Sequence, residues 1–241
     1  LSITMQAHAE SLSSDRIAVG IPTTGDLQGE LVELTAEGGS FLAIFQARQR
    51  DEHRGGIVLL HDQGTRANSL EVIRPLRLGL AEAGWDTLSL QLPPAWQSGE
   101  SRIQARLRAG LDWLKARKPP GLAVIAQGSS GMIALAYAST RPPPELQALV
   151  LVSMPAAATD GADALSQVRL PVLDLYAERD HGPVLQGAAA RKHAAGGDNR
   201  DYTQTAIAGA TAGFLGLEDS LLGRIRGWLA VKTAAQAAGP D

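Results

Sequence analysis

The chain contains no cysteine. Disulfides, a cysteine nucleophile and thiolate metal sites are thereby excluded. The compartment is not fixed by this, because cytosolic and periplasmic proteins can both do without cysteine. There is no block of lysine and arginine either, and the formal net charge is −3. Nucleic acid is therefore not an expected partner, since neutralising phosphates takes clustered cations. No apolar run approaches the length of a bilayer span, so no transmembrane segment is expected. His-x-His, His-Glu-x-x-His, Gly-x-Gly-x-x-Gly and a P-loop lysine are all missing. Metal and dinucleotide sites thus lack their usual carriers, and no cofactor is expected. Glu178, Asp180 and His181 make only a partial ligand set. One more absence bears on chemistry: no histidine follows His193.

What is present suits a folded enzyme-sized domain. The 241 residues are 44% hydrophobic, enough to bury a sizeable core. No internal repeat or linker interrupts them, so residues 16–232 read as a single domain. Residues 1–15 read as a flexible N-terminus. There Ala7-His8-Ala9, with small residues three and one before a cut, fits a signal-peptidase site and points to export, hence a periplasmic location; a trimmed cytoplasmic chain is the alternative. Residues 233–241 read as a fraying Ala/Gln-rich tail.

Strands are expected at Arg16–Pro22, Gly29–Ala36 and Ser40–Ala47, the last two joined at Gly38-Gly39. Gly56–His61 is apolar without alternation, as befits a strand covered on both faces. A helix fits Leu70–Ala83, with Pro75 early in it and Gly84 as its stop. Strands then follow at Asp86–Leu92, Leu122–Ala126, Leu146–Ser153, Leu170–Tyr176 and Asp201–Ile207. Between and after them come helices at Ser101–Lys118, Met132–Ala138, Pro183–Ala195 and Leu217–Ala230, with 156–168 a small-residue loop that has room for one helical turn. This alternation predicts an α/β fold: a mainly parallel central sheet with antiparallel N-terminal strands and helices on both faces. Ligands of such sheets bind beyond the carboxyl ends of the strands.

Four stretches carry a resemblance: Gly56-Ile-Val-Leu-Leu-His-Asp-Gln-Gly64, Pro75-Leu-Arg77, Gly84-Trp85-Asp-Thr-Leu-Ser-Leu-Gln-Leu-Pro93 and Pro171-Val-Leu-Asp-Leu-Tyr176. With them the chain resembles the α/β-hydrolase superfamily along nearly its whole length after Gly56. More narrowly, it is similar to a bacterial family of unknown function with that fold. The Gly-Trp-x-Thr-Leu-Ser-x-Gln-Leu-Pro run is the most specific part. The resemblance implies an elbow with a nucleophile, a histidine base, an acid that orients it, and backbone N–H groups for an oxyanion.

Those parts are present unevenly. The elbow is Ile125-Ala-Gln-Gly-Ser-Ser-Gly-Met-Ile-Ala-Leu135. One register puts Gly128 at the tip, with small Ala126 and Ser130 flanking it; the other puts Ser129 there and needs Gln127 where a small residue is wanted. The first fits better, and glycine has no side chain to attack with. Asp180 stands where the acid is expected, or it caps the helix that follows. Asp174, inside its strand, is a candidate partner for an Arg or Lys. In Gly209-Ala-Thr-Ala-Gly-Phe214, Ala212 stands where the base is expected. His181 adjoins Asp180; His193 reads as a surface residue and His53 as part of a polar loop. His61 occupies a place that is usually structural in the family. His61, Gln63, Gly128, Ser129 and Asp180 are the candidates to line a binding cleft.

These features predict a non-catalytic α/β-hydrolase-like protein that binds a small molecule or a protein partner. A serine hydrolase using Ser129, Asp180 and an unconventional His181 or His61 is the alternative. An assembly role on the helical surface is the third reading.

Overall fold

The computed structural model describes residues 27–37, 39–93, 100–140, 142–156, 161–195 and 201–237. The expected strand at 16–22, the N-terminal segment 1–15 and residues 238–241 of the tail lie outside them.

Strand β1 (Glu30–Ala36) turns back into β2 (Gly39–Gln46) as an antiparallel hairpin, with Ala36 opposite Gly39. The chain then alternates: β3 (Gly55–Leu60), α1 (Ile73–Glu82), β4 (Trp85–Leu90), α2 (Glu100–Lys115), β5 (Leu122–Gln127), α3 (Ser130–Thr140), β6 (Leu146–Val152), α4 (Gly161–Gln167), β7 (Val172–Arg179), α5 (Gly182–Ala195), β8 (Tyr202–Thr211) and α6 (Glu218–Ala237). All eight strands join one sheet in the order β1-β2-β4-β3-β5-β6-β7-β8. β2 runs antiparallel to both of its neighbours, and every pairing from β4 to β8 is parallel. This is the expected architecture.

The sheet is covered on both sides because its central strands carry apolar side chains to both faces. Along β3, Ile57 and Leu59 face a core built with Ile73, Leu76 and Leu80 of α1 and Leu221, Ile225 and Leu229 of α6. Val58 and Leu60 face the opposite core, built with Ile103, Leu107, Leu111 and Leu114 of α2 and Ile133 and Leu135 of α3. The period of 2 in the strand sends successive residues to opposite layers, and the helical stripes meet them there.

Several boundaries differ from expectation. Helix α1 starts at Ile73 rather than Leu70, because turns occupy the preceding residues: Thr65 N–H donates to the Asp62 carbonyl and Ser69 N–H to that of Arg66. Pro75 consequently sits in the first turn, where a missing N–H costs nothing. The loop expected at 156–168 contains α4. β7 runs to Arg179 and β8 to Thr211, so both strands reach further towards the carboxyl edge of the sheet. Helix α6 continues five residues past Lys232 to Ala237, as the Ala/Gln-rich composition that suggested fraying is itself helix-favouring. No helix among the described residues is long and apolar enough to cross a membrane.

Candidate functional site

The parallel strands all end at one edge of the sheet. Residues 61–64 follow β3, Gly128 follows β5, Ser153 follows β6, Asp180 follows β7 and Ala212 follows β8. The tightest of these ends is at Gly128. Its φ is +60°, a left-handed conformation that glycine adopts without the penalty other residues meet. Its N–H donates to the Val152 carbonyl at 2.8 Å, fixing the turn to β6. Helix α3 starts two residues later. Ser130 is fully buried, and its hydroxyl hydrogen-bonds the Gln127 carbonyl at 2.8 Å and the Leu60 carbonyl at 3.2 Å. Ser129 is half-buried, and among the described residues no histidine bonds its hydroxyl.

The space above Gly128 is taken by Asp62. A Cβ on residue 128 would lie 2.1 Å from the Asp62 Cγ and 2.3 Å from each carboxylate oxygen. Asp62 Oδ1 accepts hydrogen bonds from Ser129 N–H and Gln63 N–H, each at 2.7 Å. Two backbone donors converging on one oxygen, beside a helix N-terminus, are what this kind of fold aims at an oxyanion. Here that oxygen belongs to the chain itself. The backbone of Asp62 is held as firmly as its side chain: its carbonyl accepts from Thr65 N–H at 3.1 Å, Thr65 Oγ1 at 2.9 Å and His61 Nδ1 at 2.8 Å.

His61 completes this loop from below. It is 2% exposed, its Nδ1–H goes to the Asp62 carbonyl, and its Nε2 accepts the Leu92 N–H at 3.0 Å. Both ring nitrogens are therefore used by backbone, in one neutral tautomer. Burial lowers its pKa to about 4, against weaker opposition from the Asp62 carbonyl and carboxylate. Such an imidazole is a strut and a poor proton acceptor at neutral pH.

Asp180 is almost buried, and its carboxylate binds within the loops. Oδ2 accepts from the Ser153 hydroxyl at 2.6 Å and from Ala177 N–H at 3.1 Å, and Oδ1 accepts from His181 N–H at 2.8 Å. Ser153 carries a φ of +50°, which aims its hydroxyl at that acid. The pairing of Arg179 with Thr211 sets Asp180 and Ala212 on adjacent strand ends. The His181 side chain is exposed. Glu178 turns away, its carboxylate accepting from Gly209 N–H at 2.7 Å. His53 lies 3.1 Å from Asp86 at the start of β4, the opposite end of the sheet, and His193 is exposed near the end of α5. Among the described residues no group of three or more His, Asp or Glu side chains is placed to hold a metal.

Of the sequence candidates, the structure brings Gln63 and Ser129 together through their backbone N–H groups, directly beneath the side chain of Asp62. The Asp62 side chain, which is not among the sequence candidates, is the group on which these donors converge.

A family model described as "Protein of unknown function (DUF3530)" matches residues 22–100 and 94–231. No curated protein matches the sequence. Among solved structures, the chain is similar to Est1E from Butyrivibrio proteoclasticus, with a TM-score of 0.70 at 13% identity over 86% of this chain and 99% of that one. It is similar to a dienelactone hydrolase from Anabaena variabilis, with a TM-score of 0.69 at 18% identity over 85% and 99%. An esterase domain from Rhodothermus marinus gives a TM-score of 0.66 at 15% identity over 84% and 100%. At these identities the likeness is one of fold, and the fold is that of the α/β-hydrolases.

Proposed function

The chain belongs to this family of unknown function, and from that premise we propose that it is a non-catalytic α/β-hydrolase-like protein with a binding or accessory role. The observation that carries the proposal is Gly128: the residue at the turn with φ +60° has no side chain, so the elbow offers no nucleophile. Ala212, on the strand end beside Asp180, supports the same reading, since a methyl group accepts no proton. Acyl transfer needs a nucleophile and a base in contact. The likeness to solved hydrolases is one of fold, and a fold does not carry an activity with it.

A fluorophosphonate probe tests this on the intact protein. The expected result is no labelling of the wild type, together with no hydrolysis of p-nitrophenyl acetate above that of Ser129→Ala. Stoichiometric labelling that disappears in Ser129→Ala would sink the proposal and favour the serine hydrolase. A place in the bacterial envelope rests on the Ala7 and Ala9 pattern alone. Fractionation of cells expressing the full gene product checks it: recovery in the cytoplasm would count against it.

A further inference from the structure

We propose that Asp62 is a built-in occupant of the oxyanion cradle, and that residues 62 and 128 form an interlock: the carboxylate needs glycine at 128, and glycine at 128 leaves the space that the carboxylate fills. Three observations meet here. The two cradle donors, Gln63 N–H and Ser129 N–H, are both spent on one oxygen of Asp62. The volume next to Gly128 that any Cβ would enter is filled, at distances well below contact, by that same carboxylate. And the carboxylate can swing aside only by giving up both of those N–H donors, while its backbone is pinned in place by Thr65 and His61.

The consequence for binding is direct. An external carbonyl or carboxylate cannot use these donors while Asp62 holds them, so ligands of the cleft must be recognised by other groups. The carboxylate also stabilises the elbow: it neutralises the N-terminal end of α3 and satisfies two N–H groups that would otherwise face a partly buried turn. Substituting either residue alone should disrupt the arrangement. Removing the aspartate strands two donors. Adding a side chain at 128 drives the carboxylate out. Making both changes removes the conflict, so the second costs less in the presence of the first.

The test uses the full chain and three variants, Asp62→Gly, Gly128→Ser and the double substitution, read by thermal midpoint and by amide hydrogen exchange at Gln63 and Ser129. Asp62→Gly is expected to lower the midpoint by about 10 °C, as the loss of two charge-assisted bonds implies for a domain of this size. It should also release protection of both amides. Acetate, which is the excised side chain as a free ion, should restore part of that midpoint in Asp62→Gly and leave the wild type unmoved, whereas chloride at equal ionic strength should restore neither. Gly128→Ser should cost several degrees in the wild-type background and clearly less in Asp62→Gly.

Additive midpoint shifts, or acetate acting alike on wild type and Asp62→Gly, would overturn the proposal. If Gly128→Ser yields no folded protein, Asp62→Gly with acetate and the exchange measurement decides alone. The proposal stands apart from the non-catalytic reading. Labelling of Ser129 would defeat that reading without bearing on the 62–128 coupling, and additivity would defeat the coupling without supplying a nucleophile.

Discussion

His61 illustrates how a single side chain can look chemical and act as structure. Its neutral ring bridges the Asp62 carbonyl and the Leu92 N–H, and burial holds its pKa near 4, below the 6.5 of an unfolded chain. Between those two values the unfolded state binds the extra proton, so folding stability falls as pH falls from about 6.5 towards 4, and it is at its full value above 6.5. The slope is about 1.4 kcal/mol per pH unit, with a ceiling near 3 kcal/mol. Urea unfolding at stepped pH should show this slope in the wild type and a flatter one in His61→Gln; parallel curves would rule out His61 as its source. At this scale the sequence disclosed residue types and strand ends, and it placed Gly128 and Asp180 at turns. It did not disclose where side chains point. Asp62 and Ser129 are far apart in sequence, and nothing in local pattern announces that the carboxylate of one lies on the N–H of the other. The same holds for Ser153, whose bond to Asp180 depends on a left-handed backbone at a serine.

Elements were more legible than contacts, because burial on both faces writes apolar runs into β3, β5 and β6 and the covering helices write stripes. Ile103, Leu107, Leu111 and Leu114 were readable as one face and are all buried. Where the pattern fails, composition explains it: α4 and the end of α6 are made of small residues that give no stripe. The docking of α5 rests on an ion pair that the sequence could suggest only in part. Arg191 grips Asp174 of β7 through Nε at 2.8 Å and a terminal nitrogen at 3.0 Å, and Tyr202 and Gln204 of β8 add bonds at 2.6 and 2.9 Å. The pair is 3% and 0% exposed, and burial, followed by the neighbouring Asp174 charge, raises the pKa of the Tyr202 hydroxyl. Asp174→Ala leaves the guanidinium buried and unpaired and should cost about 3–5 kcal/mol in urea unfolding. Replacing both partners by apolar residues, Asp174→Leu with Arg191→Met, should recover most of that loss. A double variant no better than the single one would mean that the network contributes more than the charge it neutralises.

The molecule as a whole has the α/β-hydrolase fold, with Asp62, Gly128, Asp180 and Ala212 at its strand ends. Residues 62, 128, 180 and 212 are scattered through the chain, and the strand order gathers them at one edge. If the frame retains its geometry, the combined variant Asp62→Gly, Gly128→Ser, Ala212→His should acquire fluorophosphonate labelling at residue 128 that the wild type lacks. Absence of labelling in a folded triple variant would show that Asp180, occupied by Ser153, or the β8 end has drifted from a working arrangement. The filled volume beside Gly128 also constrains how such a sequence can change. Consider the one-substitution steps between this chain and one with a side chain at 128. The two orders differ: with residue 62 changed first no carboxylate stands in the way, whereas a side chain at 128 placed first has to displace it from both of its N–H donors. A side chain placed at 128 alone meets an occupied space and costs stability unless residue 62 changes with it. What residue 128 can become is thus set by what stands 66 positions upstream of it.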